Sequence, residues 1–190
     1  VTQMAANLLN LMLDPELRLI DNQNRHRVET ADSRSEVLDL LAAVKDNRAR
    51  LLIINNANPV FALPPSAGAG EALEATDAFV VSTSHFLDET AAMADLIIPT
   101  RMALETWDDY SGWQSMVSTL QPAMGRLTEA PHLGDVILEA AFADNLPAES
   151  YKAYLIAQLA ARQGISSEKQ WVDTLQKGGQ FDPQPARKHL

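Results

Sequence analysis

The chain has 190 residues, 46% hydrophobic and 21% charged, which is the composition of an ordinary globular domain or of one domain with an appendage. Its formal net charge of -10 argues against nucleic acid and against an anionic membrane surface, because both need clustered Lys and Arg. The absence of cysteine excludes disulfides, thiolate zinc sites and cysteine-ligated iron–sulfur clusters within these residues.

No apolar run approaches the roughly 20 residues needed to span a bilayer, so direct membrane insertion is not expected. No signal peptide is visible. The chain opens on Val1 rather than Met, which suggests a piece of something longer.

Residues 4–13, MAANLLNLML, read as the end of a helix, and Asp14 with Pro15 opens a turn. Residues 17–31 read as irregular loop. Ser33 and Glu36 have the spacing of a capping box, and a helix follows over 35–45 with Val37, Leu40, Leu41 and Val44 on one stripe. Three short apolar runs come next, at 51–54, 79–81 and 96–98. Their branched residues and flanking Asn, Pro and Ser are those of buried strands in a parallel sheet. The alanine-rich stretch 67–75 reads as a helix joining the first two, which makes a βαβ unit.

Further on, the pattern predicts a helix over 88–93, an ordered loop over 99–114 and a strand at 116–120 stopped by Pro122. An amphipathic helix is expected over 132–144. The composition changes at residues 145–147. Two helices are predicted beyond it, at 149–163 and 168–177. Gly164 closes the first, Ser167 with Gln170 caps the second, and Gly178 with Gly179 ends it. The tail 181–190 is expected to be poorly ordered. The fold class is α/β: a three-layer domain with a parallel sheet over 1–145, then a short C-terminal helical appendage and tail over 146–190.

Ligands of such sheets bind beyond the carboxyl ends of the strands. Two loops lie there, 55–59 (NNANP) and 83–90 (TSHFLDET). An Asn-rich turn can present backbone N–H groups to a phosphate, and Asn tolerates positive φ where Gly is absent. The chain has no GxGxxG and no Walker loop, so an ordinary NAD or ATP site is not expected. Ser84, His85 and Asp88 superficially resemble a hydrolase triad. Neighbours in sequence rarely place nucleophile and base correctly, however, and the strained G-x-S-x-G elbow is missing. Glu105, Asp108 and Asp109 form an acidic cluster beside Trp107 and Trp113, which could bind a metal or pair with Arg101. A solvated acidic loop is the commoner arrangement. His26, His132 and His189 show no ligand spacing and read as surface residues.

Taken together, Asn58-Pro59, the run Glu89-Thr90-Ala91-Ala92-Met93-Ala94-Asp95-Leu96-Ile97-Ile98-Pro99 and Glu105 resemble the molybdopterin oxidoreductase superfamily. That superfamily includes formate dehydrogenases, polysulfide reductases and nitrate reductases. The resemblance covers residues from about 35 to 144. It implies the second of two Rossmann-like α/β domains (domain III), which helps hold a molybdopterin guanine dinucleotide through the two loops named above. The cleft residues carried over by motif are Asn56, Asn58, Pro59, Ser84, His85, Glu89 and Thr90, with Glu89 capping its helix rather than touching substrate. No catalytic residue or metal ligand follows, since the metal-ligating side chain comes from another domain. The isolated piece is not expected to be active. Iron–sulfur clusters belong to an N-terminal domain that this chain does not contain.

Two positions depart from the pattern. Many cofactor-binding members carry Gly where this chain has Asn56, and an acidic residue where it has Ser84. Leu104–Tyr110 (LETWDDY) and Thr119–Pro122 (TLQP) resemble the molybdopterin-like subunits of alternative complex III and related quinone reductase complexes, a branch that has lost the molybdenum cofactor. The resemblance therefore implies a respiratory electron-transfer subunit with a vestigial cleft. The alternative is a working cofactor domain of a catalytic molybdoenzyme, and an unrelated small-molecule binding domain is a third reading. The implied partners are other domains of the parent subunit and iron–sulfur and quinone-interacting membrane subunits. The implied location is the periplasmic face of a bacterial membrane complex.

Overall fold

The computed structural model describes residues 2–16, 25–28, 31–114 and 116–181, the side chain of Gln163 excepted. The loop expected over 17–31 falls largely outside the described residues, as do tail residues 182–190 with His189.

Helix α1 (Thr2–Leu13) has no buried residue. Helix α2 (Arg34–Lys45) starts at the expected capping box. The Ser33 N–H donates to Glu36 Oε2 at 2.6 Å and the Glu36 N–H donates to Ser33 Oγ at 3.4 Å, satisfying two donors a helix start leaves open.

Strands β1 (Leu51–Ile54), β2 (Phe79–Ser82) and β3 (Leu96–Ile97) form a parallel sheet in the order β1-β2-β3. Leu51 lies opposite Phe79, and Ser82 lies between Ile54 and Ile97. The crossover from β1 to β2 runs through α3 (Pro59–Ala62), a 3-10 turn at Pro65–Ala67, and α4 (Ala69–Ala75). Helix α3 is absent from the sequence reading. Four residues are too few to show a period, and only Asn58 as cap and Pro59 at the first helical position mark it. The period-two alternation of the strands sends Leu52, Ile54 and Val80 towards Leu73 of α4, where they form the core. The alternate side chains, Leu51, Ile53 and Phe79, are 55%, 53% and 50% exposed.

Two predicted elements take other forms. Residues 88–93 make a single 3-10 turn, Ala91–Met93, rather than a helix. Six residues hardly nucleate a helix, and here the Thr90 hydroxyl bonds across to the neighbouring loop. Residues 99–114 are not all loop: β4 (Asp108–Trp113) pairs antiparallel with β5 (Met116–Leu120), with an irregularity between Tyr110 and Trp113. Asp108, Asp109, Ser111 and Gly112 are poor strand formers, and cross-strand pairing overrides that propensity.

Helices α5 (Leu133–Phe142), α6 (Tyr151–Gln163) and α7 (Glu168–Lys177) follow, the last capped by Ser167, whose Oγ accepts the Gln170 N–H. Then β6 (Gly179–Phe181) adds antiparallel to β5, so Phe181 belongs to a strand and not to a loose tail. Gly179 is required there: at φ +147° a Cβ would sit 2.2 Å from the Val117 carbonyl oxygen.

Candidate functional site

The described residues with buried polar side chains number seven, and six of them lie at or just beyond the carboxyl ends of β2 and β3: Ser82, Thr83, Ser84, Thr90, Thr100 and Glu105. Buried polar groups are costly unless paired, so their partners decide what this edge can do.

Asn58 is the hub of the loop after β1. Its Oδ1 accepts the Phe61 N–H at 3.3 Å, capping α3, and accepts the Thr90 hydroxyl at 2.7 Å. Its Nδ2 donates to Glu89 Oε2 at 2.6 Å. Thr90 is fully buried, and its Oγ1 also accepts the Val60 N–H at 3.2 Å. These bonds sew the loop after β1 to the loop after β2. The amide of Asn58 holds the Glu89 carboxyl below its usual pKa, helped by the residue's own backbone N–H. Glu89 thus fastens the two loops, while the cap of the following turn comes from Asp88, whose Oδ1 accepts the Ala91 N–H at 2.7 Å.

Ser84 and His85 also face inward to structural partners. Ser84 Oγ donates to Asp88 Oδ2 at 3.0 Å and accepts the Phe86 N–H at 3.2 Å. His85 Nδ1 lies 2.7 Å from the Thr100 carbonyl oxygen, which can only accept, so Nδ1 carries the proton. With Ser84 on Asp88 and His85 on a backbone carbonyl, no hydrolase triad forms. Pro59 is half-buried as the first residue of α3. Asn56 is exposed at φ +46°, the left-handed region in which Asn is tolerated better than most residues.

Three residues beyond the named cleft set also build this edge. The Thr83 hydroxyl donates to Asn55 Oδ1 at 2.7 Å, bridging the two loops a second time. Thr100 supplies the carbonyl that fixes His85. Asp95 Oδ2 accepts the Val80 N–H at 2.7 Å, which explains an Asp ahead of the third apolar run. Asn55 and Thr83 stand immediately after their strands, inside the two loops that the sequence marks as the ligand edge, whereas nothing local marks Thr100.

The acidic cluster does not act as a unit. Glu105 is buried, accepting the Met102 and Leu127 N–H groups on its two oxygens, and these bonds hold its carboxyl below the usual range. Arg101 Nε donates instead to the Ala130 carbonyl at 2.8 Å. Asp108 and Asp109 sit on β4, where burial and the Asp108 charge push the Asp109 carboxyl up. No group of three or more His, Asp or Glu side chains suited to a metal ion occurs among the described residues.

Two histidines read as surface residues have structural partners. His132 is half-buried, accepts the Gly134 N–H on Nδ1 as the cap of α5, and donates from Nε2 to the Trp107 carbonyl at 3.0 Å. His26, exposed, bridges to Trp113 with ring centroids 4.1 Å apart.

Comparison with known proteins gives a consistent result. The model of the molybdopterin oxidoreductase family matches residues 2–133. The menaquinone reductase molybdopterin-binding-like subunit of Nitratidesulfovibrio vulgaris is 33% identical over 102 residues, 52% of this chain and 15% of that protein. A Bacillus subtilis protein named "Probable oxidoreductase YoaE" is 34% identical over 86 residues, 45% of this chain and 13% of its own length. The chain therefore aligns with about a seventh of each of these relatives.

Proposed function

Since this chain belongs to the molybdopterin oxidoreductase family, we propose that it is an α/β segment of a larger subunit in a respiratory electron-transfer complex, and that its cleft edge is scaffold rather than cofactor site. One observation carries this reading: the polar groups that would meet a guanylyl molybdopterin already satisfy one another. Both ends of the Asn58 amide are engaged, the Thr90 hydroxyl is buried between the loops, and the Ser84 hydroxyl is held by Asp88.

The charge also fits the cofactor poorly. Residues 51–100 contain no Lys or Arg and six acidic residues, with Asp88 and Glu89 in the loop itself. A pyrophosphate there would meet like charge with no cation from this stretch to offset it. At the guanine end, Ser84 offers a hydroxyl that already has a carboxylate partner. The residues present do not fit the nucleotide half of the cofactor.

The alternative is a working cofactor domain, and Asn56 favours it. Its left-handed backbone is the kind of turn that aims N–H groups at a phosphate. The relative named as a menaquinone reductase subunit supports assembly with other subunits. We extend that to iron–sulfur and quinone-interacting membrane partners on the periplasmic face of a bacterial membrane.

Elemental analysis of the full-length native subunit tests the reading. Iron without molybdenum is the expected result. Near-stoichiometric molybdenum would establish the alternative, and the absence of both metals would sink both readings.

A further inference from the structure

Helix α6 packs against β4, where two carboxylates stand side by side, Asp108 and Asp109. Tyr151, the first residue of the helix, donates its hydroxyl to Asp108 Oδ1 at 3.3 Å and its N–H to Asp135 Oδ1 at 2.6 Å. Its ring lies so close to α5 that a Cβ on Gly134 would sit 2.2 Å from it. Leu155 and Leu159 are buried further along α6. The helix hangs between two turns of left-handed backbone, Ala143 at φ +44° and Gly164 at φ +64°. Ala143 is the strained one, since its Cβ disfavours that region. Each end of α6 thus meets a turn able to absorb a change in its tilt.

Asp109 lies directly opposite Thr119 of β5. Cross-strand partners point to the same face, with Cβ atoms about 4.5–5.5 Å apart. The Thr119 hydroxyl oxygen is buried and has no hydrogen-bond partner among the described residues. Native interiors rarely leave such a group unpaired. Arg162 of α6 is the one cation whose charge bears on Asp109 among the described residues. The other titratable groups around this contact are engaged elsewhere. Lys152 lies over the Trp107 ring at 4.7 Å, His132 stacks on Tyr151 beside Tyr154, and Asp135 holds the Tyr151 N–H. β6 brings no titratable side chain, and Lys177 of α7 precedes Gly178, whose carbonyl accepts the Thr119 N–H at 3.0 Å.

We propose that Asp109 is a proton-operated latch for α6. Protonated, its carboxyl turns to donate to the Thr119 hydroxyl, and no charge is left beneath the helix. Ionised, it turns to Arg162 and water, leaves Thr119 unpartnered, and loosens the seat of α6. The electrostatics agree with this geometry: burial first, then the charge of Asp108, push the Asp109 carboxyl above its ordinary 3.8, against the pull of Arg162. A raised folded pKa contributes stability that is complete below the unfolded value and lost as pH rises through the folded one. Helix α6 is therefore seated most firmly in acid. The latch lies apart from the cleft edge and does not depend on whether a cofactor binds there.

Hydrogen–deuterium exchange across pH on the full-length subunit tests this, read on the α6 peptide and corrected for intrinsic rates. Protection should fall by at least about threefold as pH rises through the Asp109 transition. Asp109→Asn, neutral at every pH, should stay protected throughout. Thr119→Val should move the midpoint down, because the protonated carboxyl loses its acceptor. A flat wild-type profile, a wild-type profile in Asp109→Asn, or an unmoved midpoint in Thr119→Val would each overturn the latch. Should Asp109→Asn not fold, Arg162→Gln decides in its place. Removing the cation that favours the ionised form should raise the midpoint, and an unmoved midpoint would overturn the proposal.

Discussion

Asn58 and Glu89 are 31 residues apart in sequence and 2.6 Å apart across the two loops that end β1 and β2. The bond places a carboxylate and its amide partner where a ligand of a parallel sheet would lie. Asn58 has three such bonds, and the amide serves helix α3, Glu89 and Thr90 together.

Asn58→Ala should therefore cost more than an ordinary cap. Loss of an N-cap side chain costs about 0.5–2 kcal/mol, and here the fully buried Thr90 hydroxyl also loses its acceptor. A total of about 2–3 kcal/mol is expected. Thermal denaturation followed by circular dichroism should show a clear fall in Tm. A wild-type Tm in the variant would mean that these bonds do not hold the loops together.

The acid limb of stability should depend on Glu89 and Glu105. Both carboxyls are held below the ordinary value of 4.5, Glu89 chiefly by Asn58 and Glu105 chiefly by the Leu127 and Met102 N–H groups. A depressed folded pKa contributes stability that is present above the unfolded value and lost as pH falls through the folded one. Denaturant titrations at pH 7 and at steps below 4.5 should show this loss, and Glu89→Gln should make the acid limb shallower. An unchanged acid limb in Glu89→Gln would count against the Asn58 interaction as its source.

What was legible in the sequence was whatever depends on local pattern. The capping box at Ser33 and Glu36, the three parallel strands and the Ser167 cap are set by residues within a few positions of one another. The Asn-rich turn was read correctly as tolerant of positive φ, and Asn56 sits at +46°. The candidate residues, by contrast, were named for a cleft, while their partners lie across the fold: Asn58 reaches Glu89, and His85 reaches Thr100. Nothing local in the sequence encodes such pairings. Strand β4 was missed for the same reason, because its polar residues become a strand only against β5.

β6 was equally hidden, and it yields a sharp test. Gly179 packs its α-carbon against the backbone of Val117 and Ser118, where an added Cβ would meet backbone atoms at 2.2 and 2.7 Å. Backbone cannot yield as a side-chain tip can, so Gly179→Ala should displace β6 from β5 at a cost of about 1–3 kcal/mol. The neighbouring Gly178→Ala meets no atom within 4 Å and carries only the penalty of its φ of +78°. Exchange at the Val117 and Thr119 amides, which face β6, should rise in the first variant and much less in the second. Equal effects would show that backbone conformation, rather than close approach, governs the site.

Tyr151 links α6 to β4, and it should be visible in alkali. Its hydroxyl donates to Asp108 Oδ1 at 3.3 Å, and its ring stacks on His132 with centroids 4.8 Å apart. Burial first, then the charges of Asp108 and Asp109, push its pKa up to about 12 from an ordinary 10.0. A raised folded pKa contributes stability that is complete below the unfolded value and lost as pH climbs through the folded one, so the loss falls between pH 10 and about 12. Two units correspond to about 2.7 kcal/mol at full strength. The ring is only half-buried, and solvent screening reduces this to about 1 kcal/mol. Tyrosinate absorbance should show a late wave near pH 12 that disappears in Tyr151→Phe and moves down in Asp108→Asn. A late wave that survives in Tyr151→Phe would assign it elsewhere, and an unmoved wave in Asp108→Asn would exclude Asp108 as a cause and leave burial and the remaining charges.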